Sequence, residues 1–220
     1  MRKILFIATF TTALLTSVLS QATLLTFEPG SLALEGVNLN KTAQINDSKG
    51  QPTQLSMDLL GAGLRSKTVL FVAAKVYIAQ LFSDNAAEFQ RNDAALSSLV
   101  THSKYVAMKI SMLRTVSAAT LAVSFREAIQ ANGYDIDQEL TQLLNIVEQS
   151  ADATQGGSLT MLMTRNAQGG TNIYYEDVNG AQKSFVGSAE LMTKVMAIWL
   201  GKPADAGLAN LKASLIKSVY

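Results

Sequence analysis

The residue best placed to do chemistry in this sequence is an arginine. Arg65 closes the run Gly61-Ala62-Gly63-Leu64 and precedes a stretch dense in Val, Phe, Ile and Tyr. Glycines in that pattern let a backbone turn tightly or approach a ligand closely. A guanidinium beside an apolar cleft would select an anionic head on an apolar body, through a bidentate, charge-assisted pair. The plainer alternative is an arginine that caps carbonyls or pairs with a core carboxylate such as Asp58 or Asp177. The glycines themselves make no phosphate cradle. A dinucleotide fingerprint needs a strand before it, a third glycine and a helix after it, whereas the segment that follows here reads as a strand. A turn or bulge is expected there.

Other candidates carry less. Lys75 and Tyr77 share a strand face by period two and could contact a ligand, although lysines more often snorkel to an edge and tyrosines more often hydrogen-bond within a core. Met108 and Met112, like Met161 and Met163, alternate on expected strands; they could soften a pocket wall, but core filling is the simpler role. His102 is the sole histidine and cysteine is absent. No imidazole-rich or thiolate metal site can be assembled, and no cofactor is expected. No Ser-His-Asp set is available without that histidine, and Gly187-Ser188-Ala189 lacks the pattern of a nucleophile elbow.

The elements that would position these residues can be read from periodicity. Val37 to Leu60 predicts a hairpin around Asn46-Asp47-Ser48-Lys49-Gly50. Thr68 to Phe82 reads as one long strand buried on both faces, residues 84–99 as short helical or irregular pieces, and Tyr105 to Leu113 as a strand. Ser117 offers an N-cap to a helix whose apolar face carries Leu121, Phe125, Ala128 and Ile129, with Asn132-Gly133 as its stop. A second helix is predicted over Asp137–Asp152. The period then changes to that of a three-strand meander at Ser158–Thr164, Asn172–Asp177 and Gln182–Val186, with turns at Gln168-Gly169-Gly170 and Asn179-Gly180. Helices over Ser188–Leu200 and Ala204–Ile216 close the chain, separated by Gly201 and Pro203. This order favours an α+β protein with a mostly antiparallel sheet.

Length and composition narrow the function. Met1-Arg2-Lys3 followed by an apolar stretch from Ile4 to Leu19 and the small residues near Ala22 has the anatomy of a secretory signal peptide. Residues 1–22 are therefore expected to be a cleaved leader, the alternative being an uncleaved anchor, and residues 23–220 a single domain. No later stretch is long and apolar enough to span a bilayer. A net charge of +1 over 220 residues offers no basic stripe for nucleic acid. An exported chain without cysteines fits a bacterial periplasm better than a small, disulfide-stapled secreted domain.

Several runs then resemble one family. Gly61-Ala62-Gly63-Leu64-Arg65 and Phe71-Val72-Ala73-Ala74-Lys75-Val76-Tyr77 are similar to a signature of the chalcone isomerase fold. Leu113-Arg114-Thr115-Val116-Ser117, continuing into Phe125-Arg126-Glu127, and Ile198-Trp199-Leu200-Gly201-Lys202-Pro203 resemble its bacterial, exported branch. The likeness covers about Val37 to Leu215.

The resemblance implies an open-faced β-sandwich, a large antiparallel sheet with helices over one side and a cleft between them. It also implies that Arg65 matches an arginine that meets an oxyanion in plant enzymes that cyclise chalcones, and a carboxylate in relatives that bind fatty acids. The other catalytic positions of the plant enzymes are not matched: their strand threonine falls on Val72, their tyrosine near Ala119 or Thr120, and a late threonine near Ile198. The expected function is thus an exported, periplasmic binder of a fatty acid or similar amphipathic anion, anchored by Arg65. An isomerase (intramolecular lyase) on an unknown substrate, or a structural or interaction protein of the cell envelope, are the alternatives. Oligomeric state is not legible.

Overall fold

A computed structural model describes residues 23–69 and 72–219. The leader read at residues 1–22 and Phe71 of the quoted run lie outside them. Eight antiparallel strands form one sheet in sequence order: β1 (Leu25–Leu34), β2 (Val37–Asn46), β3 (Pro52–Val69), β4 (Val72–Ser83), β5 (Tyr105–Met112), β6 (Ser158–Arg165), β7 (Thr171–Glu176) and β8 (Gln182–Gly187). Five α-helices punctuate it: α1 (Ala95–His102), α2 (Ala118–Ala131), α3 (Gln138–Glu148), α4 (Leu191–Leu200) and α5 (Ala206–Leu215). No helix among the described residues is long and apolar enough to cross a membrane.

The helices pack on one face of the sheet. Their apolar stripes, such as Leu121, Phe125 and Ile129 of α2 and Leu140, Leu143 and Leu144 of α3, meet Met108, Ile110, Met161 and Met163 from the strands. The alternating methionines are thus core residues. Ser117 and Asp137 cap α2 and α3 as expected, each side chain accepting a first-turn N–H, from Thr120 and Leu140.

The other face is closed by the sheet itself. Leu25, Leu39 and Ala43 of the first two strands pack with Met57, Ile78, Phe82 and Leu162. The curl is tight enough to bring the Phe27 and Phe82 ring centroids within 5.6 Å and to let Leu24 N donate to Glu176 Oε2 at 2.6 Å.

The structure departs from the sequence expectations at two places and meets them at a third. The first strand was not read at all: Pro29-Gly30 breaks its alternation, and its ladder with β2 is irregular between Glu28 and Ala33. Its turn has the signal nonetheless, a two-residue Glu35-Gly36 hairpin with φ of 52° and 79°. Secondly, the single strand expected from Thr68 to Phe82 is the end of β3 and all of β4, a hairpin whose arms pair from Asp58↔Ser83 to Val69↔Val72. Only its last part, Tyr77 to Ser83, is buried on both faces; Val72 is 68% exposed. Thirdly, the turn or bulge expected at Gly61 to Arg65 is a bulge, within β3. The register steps between Leu59 and Gly61 on β3, and again opposite Arg65 and Ser66, where Val76 of β4 is the extra residue.

Candidate functional site

The second bulge builds the site. Arg65 pairs across the ladder with Tyr77 and Ser66 with Lys75, so Val76 is inserted between them and period two fails there. Ala74, Val76 and Tyr77 all line one cleft, while Lys75 is turned away to Glu35, Nζ to Oε2 2.5 Å. The shared face expected of Lys75 and Tyr77 is therefore wrong, because a bulge reverses every side chain beyond it.

The cleft holds about 320 Å3, at the small end of the roughly 300–1,000 Å3 of small-molecule sites. Its floor is the buried Arg65 of β3 with Tyr77 of β4, and the exposed Lys67 of β3 lines it further out; its apolar walls are Leu121 and Phe125 of α2, Ile198 of α4 and Leu208 of α5. Arg114, Thr115 and Ser117, on the passage from β5 into α2, form its rim with Thr120 and Ser124. Three cations line it, and among the described lining residues there is no carboxylate. Thr120 and Ile198 line the cleft and Ala119 does not, whereas Val72 lies out at the end of the β3–β4 hairpin.

Trp199 braces the inner end. Its Nε1 donates to the Tyr77 hydroxyl at 3.2 Å, and its ring meets Phe125 edge-on at 5.4 Å between centroids. Burial raises the pKa of Tyr77, against the opposing effects of Trp199 and the Arg65 charge. It therefore stays a neutral phenol with a proton to donate. Burial also fixes its aim: Tyr77 is 5% exposed and Trp199 1%.

Arg65, 7% exposed, does not reach Asp58 or Asp177. Asp177 instead caps the β7–β8 turn by accepting from Asn179 N and Ala181 N. The partner of Arg65 is Asp205: Nη1 donates to Oδ1 at 2.8 Å and Nη2 to Oδ2 at 2.6 Å, while Nη1 also donates to Ser66 O. Asp205 is at the same time the N-cap of α5, accepting from Leu208 N at 2.8 Å. The glycines explain how α5 comes so close. A Cβ on Gly61 would stand 1.9 Å from Leu215 O, one on Gly63 2.6 Å from Ser214 Cβ, and one on Gly207 1.8 Å from Ser66 O. What Gly61 and Gly63 admit is this helix.

Partial burial alone would raise the Asp205 pKa; hydrogen bonds from Arg65 and Leu208 N, with the Arg65 and Lys67 charges, outweigh it and hold the carboxyl below its ordinary 3.8. Asp137, bonded by Lys194 and Leu140 N, is lowered too. A carboxyl whose folded pKa is depressed stabilises the fold above its unfolded value, and that contribution is lost as pH falls through the folded value. Stability should thus decline below about pH 4, and the Asp205→Asn protein should lose less of its stability between about pH 5 and 2 in acid melts.

Arg114 is exposed and makes no hydrogen bond or ion pair through its side chain among the described residues. Neither it nor Lys67 was singled out as functional from the sequence, because only the fold brings the β5–α2 passage beside the end of β3. His102 is exposed on the last turn of α1, and no cluster of three or more His, Asp or Glu side chains suited to a metal occurs among the described residues.

Comparison with known proteins agrees with this architecture. No curated protein matches the chain in sequence. Among solved structures, it is similar to the crystal structure of a fatty-acid binding protein of Arabidopsis thaliana, with a TM-score of 0.54 and 15% identity over 79% of this chain and 95% of that one. A likeness at that identity establishes the open eight-stranded sheet with its helical layer. The sequence profile of the chalcone isomerase-like proteins matches residues 31–216, which takes in every strand and helix but the first few residues of β1, and the chain belongs to the chalcone isomerase-like family.

Proposed function

We propose that the protein is an exported, periplasmic member of the bacterial branch of this family, and that it binds a fatty acid or similar amphipathic anion without transforming it. One observation carries the reading: an apolar cleft lined by three cations, Arg65, Lys67 and Arg114, and by no carboxylate among the described lining residues. Such a lining favours an anionic head on an apolar body. The head lies at the floor, where the Tyr77 phenol can donate to a carboxylate and the Arg65 fork can do so once Asp205 releases it; the tail runs along Leu121, Phe125 and Ile198. The fatty-acid binding of the structurally similar plant protein points the same way by analogy.

An isomerase would use the same Arg65 and Tyr77 against a developing oxyanion. It would also need a base, and the carboxylate that meets the cleft floor among the described residues, Asp205, has its oxygens bonded by Arg65 and Leu208 N. That favours binding over catalysis.

Native mass spectrometry of the protein purified from its own host, followed by extraction, tests the proposal. A co-purifying amphipathic carboxylate is expected. A protein that carries none, and that takes up no fatty acid in titration, would point to a structural role instead.

A further inference from the structure

The Arg65–Asp205 pair is built like a bound ligand. Two parallel hydrogen bonds of 2.6 and 2.8 Å join guanidinium and carboxylate, the geometry in which arginine recognises a free carboxylate. The two partners are not equally fixed. The Arg65 side chain is 8% exposed and the Asp205 side chain 38%, so the acid can turn into water while the guanidinium stays in the floor of the cleft.

We propose that Asp205 is the cleft's resident carboxylate and its specificity-determining residue, holding Arg65 until a ligand's own carboxylate displaces it. This rests on the reading of the cleft as a site for an amphipathic anion. A carboxylate head replaces what it removes, fork for fork. An alcohol or ester of the same tail does not, because pushing Asp205 aside would leave a desolvated guanidinium without a counter-charge. Asp205 thus imposes a cost on every ligand that reaches Arg65, and only a carboxylate head recovers it. The same carboxylate caps α5, and Leu208 of that helix lines the cleft, so the head-group contact and the wall formed by α5 are joined through one side chain.

The test titrates palmitate and hexadecanol into the wild-type protein, Asp205→Asn and Asp205→Ser. Asparagine and serine both keep an N-cap for α5 but neither offers Arg65 a charged competitor. Palmitate is expected to bind both variants about ten-fold or more tighter than wild type, with the gain persisting in about 1 M salt, where the screening length is about 3 Å and a merely long-range effect of the lost charge is suppressed. Hexadecanol should bind less tightly than palmitate in all three proteins, and least tightly in wild type, where it must break the pair without replacing it. If palmitate binds wild type and either folded variant equally well, or if the gain vanishes in high salt, Asp205 is not a competitor and the inference fails while the binding reading stands. If palmitate binds none of the three, the binding reading and this inference fall together.

Discussion

Replacing Arg65 by alanine is expected to remove the ligand and to loosen α5. The variant loses the buried donor fork at the cleft floor and leaves Asp205 without its partner. Removing one member of a fully buried pair costs about 3–5 kcal/mol. Here the Asp205 side chain is 38% exposed and can rehydrate, so about 1–3 kcal/mol of stability is the expectation. For a folded variant, fatty-acid affinity should fall on the order of a hundred-fold, since a charge-assisted contact is worth about 1.5–3 kcal/mol and two donors are lost. Arg65→Lys should recover part of the stability and little of the affinity, because an ammonium cannot present the planar fork. Thermal melts and fatty-acid titration on the three proteins separate the two effects. A folded alanine variant that binds as wild type does would remove Arg65 from the site.

The second large effect is predicted at Gly61. A methyl group there would meet backbone, Leu215 O at 1.9 Å and Leu215 C at 2.6 Å, and no rotamer change relieves a clash with backbone. Either α5 lifts from β3 or the bulge at Leu60 gives way. Gly61→Ala should cost about 3 kcal/mol or more, which for a chain of this size lowers Tm by roughly 6–12 °C. Gly180→Ala is the matched control. Its φ is 79° and nothing stands within 4 Å of the added Cβ, so only the left-handed backbone penalty of about 1–2 kcal/mol applies. Calorimetric scans of the two variants should rank Gly61→Ala well below Gly180→Ala. The reverse order would mean that α5 is not seated on β3.

Much of this fold could be read from local chemistry. The turns at Asn46–Gly50, Asn166–Gly170 and Asp177–Ala181 carry the Asn, Asp and Gly that such geometry requires, and α2 and α3 announce themselves by a cap and an apolar stripe. Arg65 stood out because two glycines precede it and apolar residues follow. What escaped was set at long range or by a single inserted residue. Its partner lies 140 positions away: Asp205 looks in sequence like any polar residue after Pro203, and only the docking of α5 brings it to the guanidinium. The bulge at Val76 has no signature in a run of β-formers, yet it decides that Tyr77 faces the cleft and Lys75 does not. Arg114 and Lys67 reach the cleft from strand ends whose juxtaposition is a property of the sheet. Gly61 and Gly63 are legible as positions for a turn, a bulge or the close approach of a ligand; that a helix takes the space follows from the docking of α5.

Whether the cleft buries an apolar tail beneath a cationic head site is decided by a series of saturated fatty acids of increasing length. Each added methylene taken out of water should contribute about 0.8 kcal/mol, close to four-fold in affinity, until the tail outgrows a cleft of about 320 Å3 and the gain levels off. Isothermal titration of the purified protein across that series should give this rising, then flat, dependence. Affinity that does not change with chain length would mean that the tail stays in water, and the cleft would not be the binding site described.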